Sequence, residues 1–181
     1  MKNLSPLTGE GVIVDIGTGD GRFVYQSARR NPNKFYIGID PNVRPLEKIS
    51  EKIHRKPTKG GAPNVLFIQA AVEDLPPELN GVADEVHVHF PWGGLLRAFA
   101  TGDVDVLRSV RRICSPGAML EVVMNDPVAD QPLDRYRSAG FEVLEHGLAP
   151  AAQWSEFKTT WARRLKQNEQ RSVVYLIARA V

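Results

Sequence analysis

Three carboxylates and a run of glycines carry the clearest chemistry in this sequence. Asp15-Ile-Gly-Thr-Gly-Asp-Gly-Arg22 closes an apolar run and opens an amphipathic one. Glycines at 17, 19 and 21 permit a tight turn and let the backbone approach a ligand with no Cβ in the way. A dinucleotide site wants Gly-x-Gly-x-x-Gly, so that a pyrophosphate rests on a helix N-terminus. Here the third glycine comes one place early, Arg22 stands where that fingerprint requires glycine, and Asp15 precedes the first glycine by two. Asp40 closes the next apolar run, 23 residues after Gly17, where a carboxylate can accept both hydroxyls of a ribose. The third run ends in Gln69-Ala-Ala-Val-Glu-Asp-Leu-Pro76, offering Glu73 or Asp74 to an adenine amino group. The plain alternative is a strand-to-helix turn with the acids as caps. Three such features at the ends of three successive strands favour a cofactor site.

Acid-x-Gly-x-Gly-x-Gly resembles the first motif of class I S-adenosylmethionine-dependent methyltransferases. That resemblance implies a cofactor with a cationic amino group, a sulfonium and no phosphate. The fourth apolar run ends in His87-Val-His-Phe-Pro-Trp-Gly-Gly94, at the crevice where a methyl acceptor should meet the cofactor. Enzymes that methylate exocyclic amines of bases often carry Asp/Asn-Pro-Pro-aromatic there. Pro91-Trp92 keeps the proline and the aromatic, while His89 and Phe90 replace the amine acceptor and the first proline. The aromatic platform points to a ring nitrogen, whose in-plane lone pair needs no general base. His87 and His89 lack a third ligand and read as packed or solvent-facing, so no metal is expected.

Trp154, Phe157, Trp161 and Leu165 form a second aromatic group at helical spacing. Such a stripe is either a core face or, with Lys158, Arg163, Arg164, Lys166 and Arg171 around it, a seat for a flipped base and its phosphates. Arg44, Lys48, Lys52 and Arg55 run down one side of an amphipathic stretch whose other side carries Val43, Leu46, Ile49 and Ile53. Lys56 and Lys59 extend the run into Gly60-Gly61. Residues 44–59 hold six Lys/Arg and two acids, and residues 158–181 hold six and one. These are solvated faces paired to Glu47 and Glu51, or surfaces for a phosphate-rich partner. A net charge of +2 conceals them.

Positioning these groups requires a sheet. Strands read at 12–16, 35–39, 65–70, 85–90 and 118–124, with helices at 22–30, 43–54 and 104–113 between them, the alternation of a parallel α/β sheet. A short helix at 133–139, a strand at 141–148, a helix at 155–165 and a strand at 172–180 follow. The expectation is one seven-stranded sheet with an antiparallel hairpin at its edge. With 181 residues, 43% hydrophobic and 24% charged, the chain fits one domain and excludes disorder. A single cysteine, Cys114, suits a reducing cytoplasm, and no apolar run approaches a membrane span or follows Met1 as a signal core.

Phe35-Tyr-Ile-Gly-Ile-Asp-Pro41, Lys56-Pro-Thr-Lys-Gly-Gly61, Glu73-Asp-Leu-Pro76, Phe90-Pro-Trp-Gly-Gly-Leu-Leu96 and Thr160-Trp-Ala-Arg-Arg-Leu165, with the glycine loop, resemble the 16S rRNA adenosine-1408 N1-methyltransferases, which confer aminoglycoside resistance. The resemblance implies a Rossmann-like class I sheet of order 3-2-1-4-5-7-6 with the last strand antiparallel. It makes residues 1–181 one domain, with 149–170 as a linker between the sixth and seventh strands that contributes to the RNA site. Asp15, Gly17, Gly19, Asp40, Val72, Glu73, His89 and Thr159 would bind S-adenosylmethionine. Trp92 and Trp161 would stack on the flipped adenine. Lys52, Arg55, Lys56, Lys59, Arg164 and Arg171 would contact rRNA in the assembled 30S subunit, with the enzyme a cytoplasmic monomer. The sequence departs from the family pattern in its eleven residues before Val12, its short Asn125 to Gln131 segment, Gly94 where a hydroxyl residue is common, and Glu169 in a usually basic stretch. A tRNA guanine-N7 methyltransferase, with a similar Pro-Trp, and a non-catalytic RNA-binding protein on the same fold stand as alternatives.

Overall fold

The computed structural model describes residues 10–125, 132–150 and 172–181. Seven strands form one sheet: β1 Val12–Ile16, β2 Phe35–Asp40, β3 Val65–Gln69, β4 Ala83–His89, β5 Cys114–Met124, β6 Phe141–Pro150 and β7 Ser172–Ala180. Their order is β3-β2-β1-β4-β5-β7-β6. The first five strands pair in parallel, and β7 runs antiparallel to both β5 and β6. Order and direction match the expectation.

Val-Ile-Val-Asp-Ile of β1 is buried throughout, as a central parallel strand covered on both faces must be. On one face α1 Arg22–Arg30 and α2 Glu47–Ile53 pack on Ile13, Tyr36 and Val65 through Val24, Tyr25, Ala28 and Ile53. On the other, α3 Gly93–Thr101, α4 Val104–Ile113 and α5 Leu133–Ser138 place Phe99, Leu107, Val110 and Tyr136 over Val14, Val86, Leu120 and Leu176. Asp103 caps α4, its Oδ1 accepting from the amides of Asp105 at 3.1 Å and Val106 at 3.3 Å.

Three elements differ from the sequence reading. The expected helix over 43–54 is a 3-10 turn, Arg44–Leu46, followed by the shorter α2. Pro45 lies in that first turn, where an amide it lacks is not needed, and Val43 is left exposed. β5 starts at Cys114, four residues early, because Ser115-Pro-Gly117 continues the strand after α4 stops. Helix α3 has no counterpart in the sequence reading, since Gly93-Gly94 at its start reads as loop. Among the described residues no helix is long and apolar enough to cross a membrane.

Candidate cofactor site and base platform

β1 and β4 are neighbours although β2 and β3 follow β1 in the chain, so the loops leaving β1 and β4 part in opposite directions and open a crevice. A cavity of about 430 Å³ occupies it. Ile16 and Gly17 come from the end of β1, Ile39 to Asn42 from β2, Ala70 to Glu73 beyond β3, and Pro91 to Leu95 beyond β4.

The glycine loop is shaped by backbone pairing across strands. The amides of Gly17 and Thr18 donate to the Ile39 carbonyl at 2.8 and 3.1 Å, and the Gly21 amide to Thr18 at 3.0 Å. Gly17 has φ +76°, and a Cβ there would stand 2.7 Å from Leu95 Cδ2 across the cavity wall. Asp40 fastens this loop to the end of β2. Its Oδ2 accepts from the Gly19 amide at 2.9 Å and its Oδ1 from the Asn42 amide at 2.8 Å.

Of the residues expected to hold a cofactor, Gly17, Asp40, Val72 and Glu73 therefore share one cavity, as does Trp92. Glu73 rather than Asp74 lines it. Gly19 reaches it through its bond to Asp40. Asp15 lies behind the loop at 4% exposure. Burial raises its carboxyl above the ordinary 3.8, with His89 and Thr18 pulling it back. His89 is likewise behind the lining rather than in it. Its Nε2 meets Glu121 Oε1 at 2.6 Å, its ring stacks on His87 at 4.9 Å, and Phe23 of α1 packs edge-on at 5.3 Å. Thr159, Trp161, Arg164 and Arg171 lie outside the described residues, as does nearly all of 149–170.

Burial drives the His89 imidazole below its ordinary 6.5, against the pull of Glu121. Burial pushes the Glu121 carboxyl up, but the hydrogen bond and charge of His89 outweigh it and the net shift is downward from 4.5. Both groups bind fewer protons folded than unfolded. Stability is therefore full above pH 6.5, and the His89 part is lost as pH falls toward its depressed folded value, the Glu121 part below 4.5. Wild-type Tm should decline below about pH 6.5, and His89→Gln should flatten the first part of that decline. Parallel Tm curves for the two proteins would remove the pair from any role in acid lability.

One functional residue escapes the sequence reading. Phe90 has φ +51°, a left-handed conformation that a bulky side chain adopts only under constraint. The constraint is visible: its ring is buried against Val123, Val173 and Tyr175, and its amide donates to the Val123 carbonyl at 2.7 Å. The turn ends β4 abruptly and leaves Trp92 extended and 73% exposed at the cavity rim. A phenylalanine where a proline is common was the available signal.

On the 3-10 turn before α2, on α2 and on the loop after it, Arg44, Lys48, Arg55, Lys56 and Lys59 are exposed and Lys52 is half-buried. Among the described residues no ion pair engages these six cations, so the pairing to Glu47 and Glu51 that the plain alternative offered does not form.

The family described as NpmA, 16S rRNA (adenine(1408)-N(1))-methyltransferase, matches residues 6–134. The 16S rRNA (adenine(1408)-N(1))-methyltransferase of Streptoalloteichus tenebrarius is 35% identical over 179 residues, covering 88% of this chain and 82% of its own. The crystal structure of the aminoglycoside resistance methyltransferase NpmB1 is similar at TM-score 0.82 and 46% identity, covering 96% of this chain and 89% of that one. A substituted 16S rRNA (adenine(1408)-N(1))-methyltransferase from Catenulisporales acidiphilia, with cosubstrate SAM, matches at TM-score 0.87 and 34% identity over 96% and 87% of the two chains.

Proposed function

The chain belongs to the 16S rRNA (adenine(1408)-N(1))-methyltransferase family, and from that premise we propose that it methylates N1 of adenosine 1408 in 16S rRNA of the assembled 30S subunit, conferring aminoglycoside resistance. The cofactor is S-adenosylmethionine, which supplies an electrophilic methyl group on a sulfonium. The observation that carries the reading is the crevice cavity with Asp40 and Glu73 in its wall and Trp92 exposed at its rim.

The residues fit that cofactor. Asp40 and Glu73, both in the cavity wall, would accept from the ribose hydroxyls and the adenine amino group, and Gly17 leaves room that a side chain would fill. Asp15, buried in β1 just before the loop, would supply the negative potential a cationic amino acid moiety needs. His89, buried at the end of β4, completes the proposed cofactor-binding set. Trp92 and Trp161 would stack on the extruded adenine, and Thr159 would contribute to cofactor binding. The adenine N1 lone pair would take the methyl group from the sulfonium, the S–CH3 bond breaking to leave a neutral thioether and the positive charge passing to the methylated base, so the protein would supply alignment rather than a base. Stacking contributes about 1–3 kcal/mol per base and holds any base, so selection rests on the shape of folded rRNA. Lys52, Arg55, Lys56, Lys59, Arg164 and Arg171 read that shape through its phosphates. Residues 1–181 act as one cytoplasmic, monomeric domain, with 149–170 contributing to the RNA site.

The test is label transfer from S-adenosylmethionine to purified 30S subunits, followed by primer extension through the decoding-site helix. A stop at adenosine 1408 is expected. Label entering tRNA but not 30S would replace this reading with guanine-N7 methylation. Cofactor binding with transfer to neither would make the chain a non-catalytic RNA-binding protein.

A further inference from the structure

The basic loop after α2 is closed by its own backbone. The amides of Lys59 and Gly61 both donate to the Lys56 carbonyl, at 2.7 and 3.1 Å, the Gly60 amide donates to Pro57 at 3.0 Å, and the Ala62 amide to Ile53 at 3.0 Å. A Cβ at Gly61 would lie 1.7 Å from the Arg55 carbonyl oxygen, so this closure requires glycine. Beneath the loop is Tyr25 of α1, only 6% exposed. Its hydroxyl donates to the Gly60 carbonyl at 2.8 Å and accepts from Arg29 Nη1 at 3.2 Å. Lys52 Nζ sits 4.6 Å above its ring centroid, within cation–π range. Burial alone would raise the hydroxyl's pKa, but the hydrogen bonds of Lys52 and Arg29 outweigh it and the shift is downward from 10.0.

One side chain thus ties α1, α2 and the loop together. It brings Arg29, which sequence reading leaves out of any site, to the same ring as Lys52 and to the loop that carries Arg55, Lys56 and Lys59. We propose that Tyr25 is a positioning residue that pre-organises these five cations into one face for the phosphates of a folded RNA, and that Arg29 belongs to that face. This rests on the rRNA reading above. Long basic side chains on a mobile loop lose freedom when they dock, and that loss weakens binding. A face already fixed by Tyr25 avoids much of it.

The full chain is tested on purified 30S subunits, with KM for 30S, kcat and cofactor Kd measured separately. Tyr25→Phe keeps the ring under Lys52 and removes the bonds to Gly60 and Arg29. It should raise the 30S KM about five- to thirtyfold, the worth of one to two hydrogen bonds, with kcat and cofactor Kd unchanged. Gly61→Ala, which must reshape the loop without touching the sheet, should raise it further. Arg29→Gln should lower the slope of log affinity against log salt by about one phosphate contact. An active enzyme whose 30S KM ignores both Tyr25→Phe and Gly61→Ala overturns the proposal. So does a matching loss of cofactor affinity, which would make Tyr25 merely structural. Absence of any transfer to 30S by the unsubstituted protein overturns the rRNA reading and takes this proposal with it.

Discussion

Trp92→Ala should reduce methyl transfer to 30S subunits about 100-fold while cofactor affinity and Tm stay near wild type. The size follows from what the side chain can do at that place. A stacked base is held by about 1–3 kcal/mol, and each 1.4 kcal/mol is a factor of ten. Misplacement of a reacting atom by about 1 Å costs a further factor of the same order. The selectivity follows from exposure. At 73% exposed, the indole contributes little to the core, and surface substitutions of this kind stay within about 0.5 kcal/mol. Trp92→Phe should keep a stacking face and fall between the two. Single-turnover methylation, calorimetry with S-adenosylhomocysteine and a melting curve separate the outcomes. Wild-type transfer by Trp92→Ala would end the platform role. Collapsed cofactor binding would make Trp92 a cavity wall instead.

That experiment also exposes where the sequence was readable. Asp40, Glu73 and Trp92 are legible from sequence as residues just past strand ends, because buried parallel strands announce themselves as apolar runs and the chemistry sits where the runs stop. His87 and His89, two residues apart on β4, share a face by strand alternation, and their rings stack. What the alternation could not supply was the partner from another strand. Glu121 faces His89 only because β5 lies beside β4 in a register that no local pattern encodes. Phe90 and Tyr25 were hidden for the same reason. A left-handed phenylalanine is tolerated because Val123 and Val173, distant in sequence, bury it. Tyr25 looks like one more apolar position of α1 until Gly60 and Lys52 are brought against it. Helix α3 was lost to two glycines that read as loop.

Asp40→Ala should weaken S-adenosylmethionine binding about 100-fold, with Asp40→Asn intermediate. An ionised carboxylate offers about four lone-pair sites on two oxygens. The fold already uses one on each oxygen, Oδ2 for the Gly19 amide and Oδ1 for the Asn42 amide. One site per oxygen is left, and Asp40 lines the cavity. That remainder matches the two hydroxyls of a ribose, and hydrogen bonds to a charged group contribute about 1.5–3 kcal/mol each. Losing both gives about 3 kcal/mol or more, hence the factor of 100. Asparagine has a single acceptor oxygen, so it can serve one amide and one hydroxyl but not both pairs. The same count separates the two roles of the side chain. Removing the carboxylate frees the Gly19 amide as well, so Asp40→Ala should lower Tm modestly without cofactor, while affinity for 30S subunits should not change. Equal cofactor affinity in all three proteins would leave Asp40 as a strap for the glycine loop and nothing more.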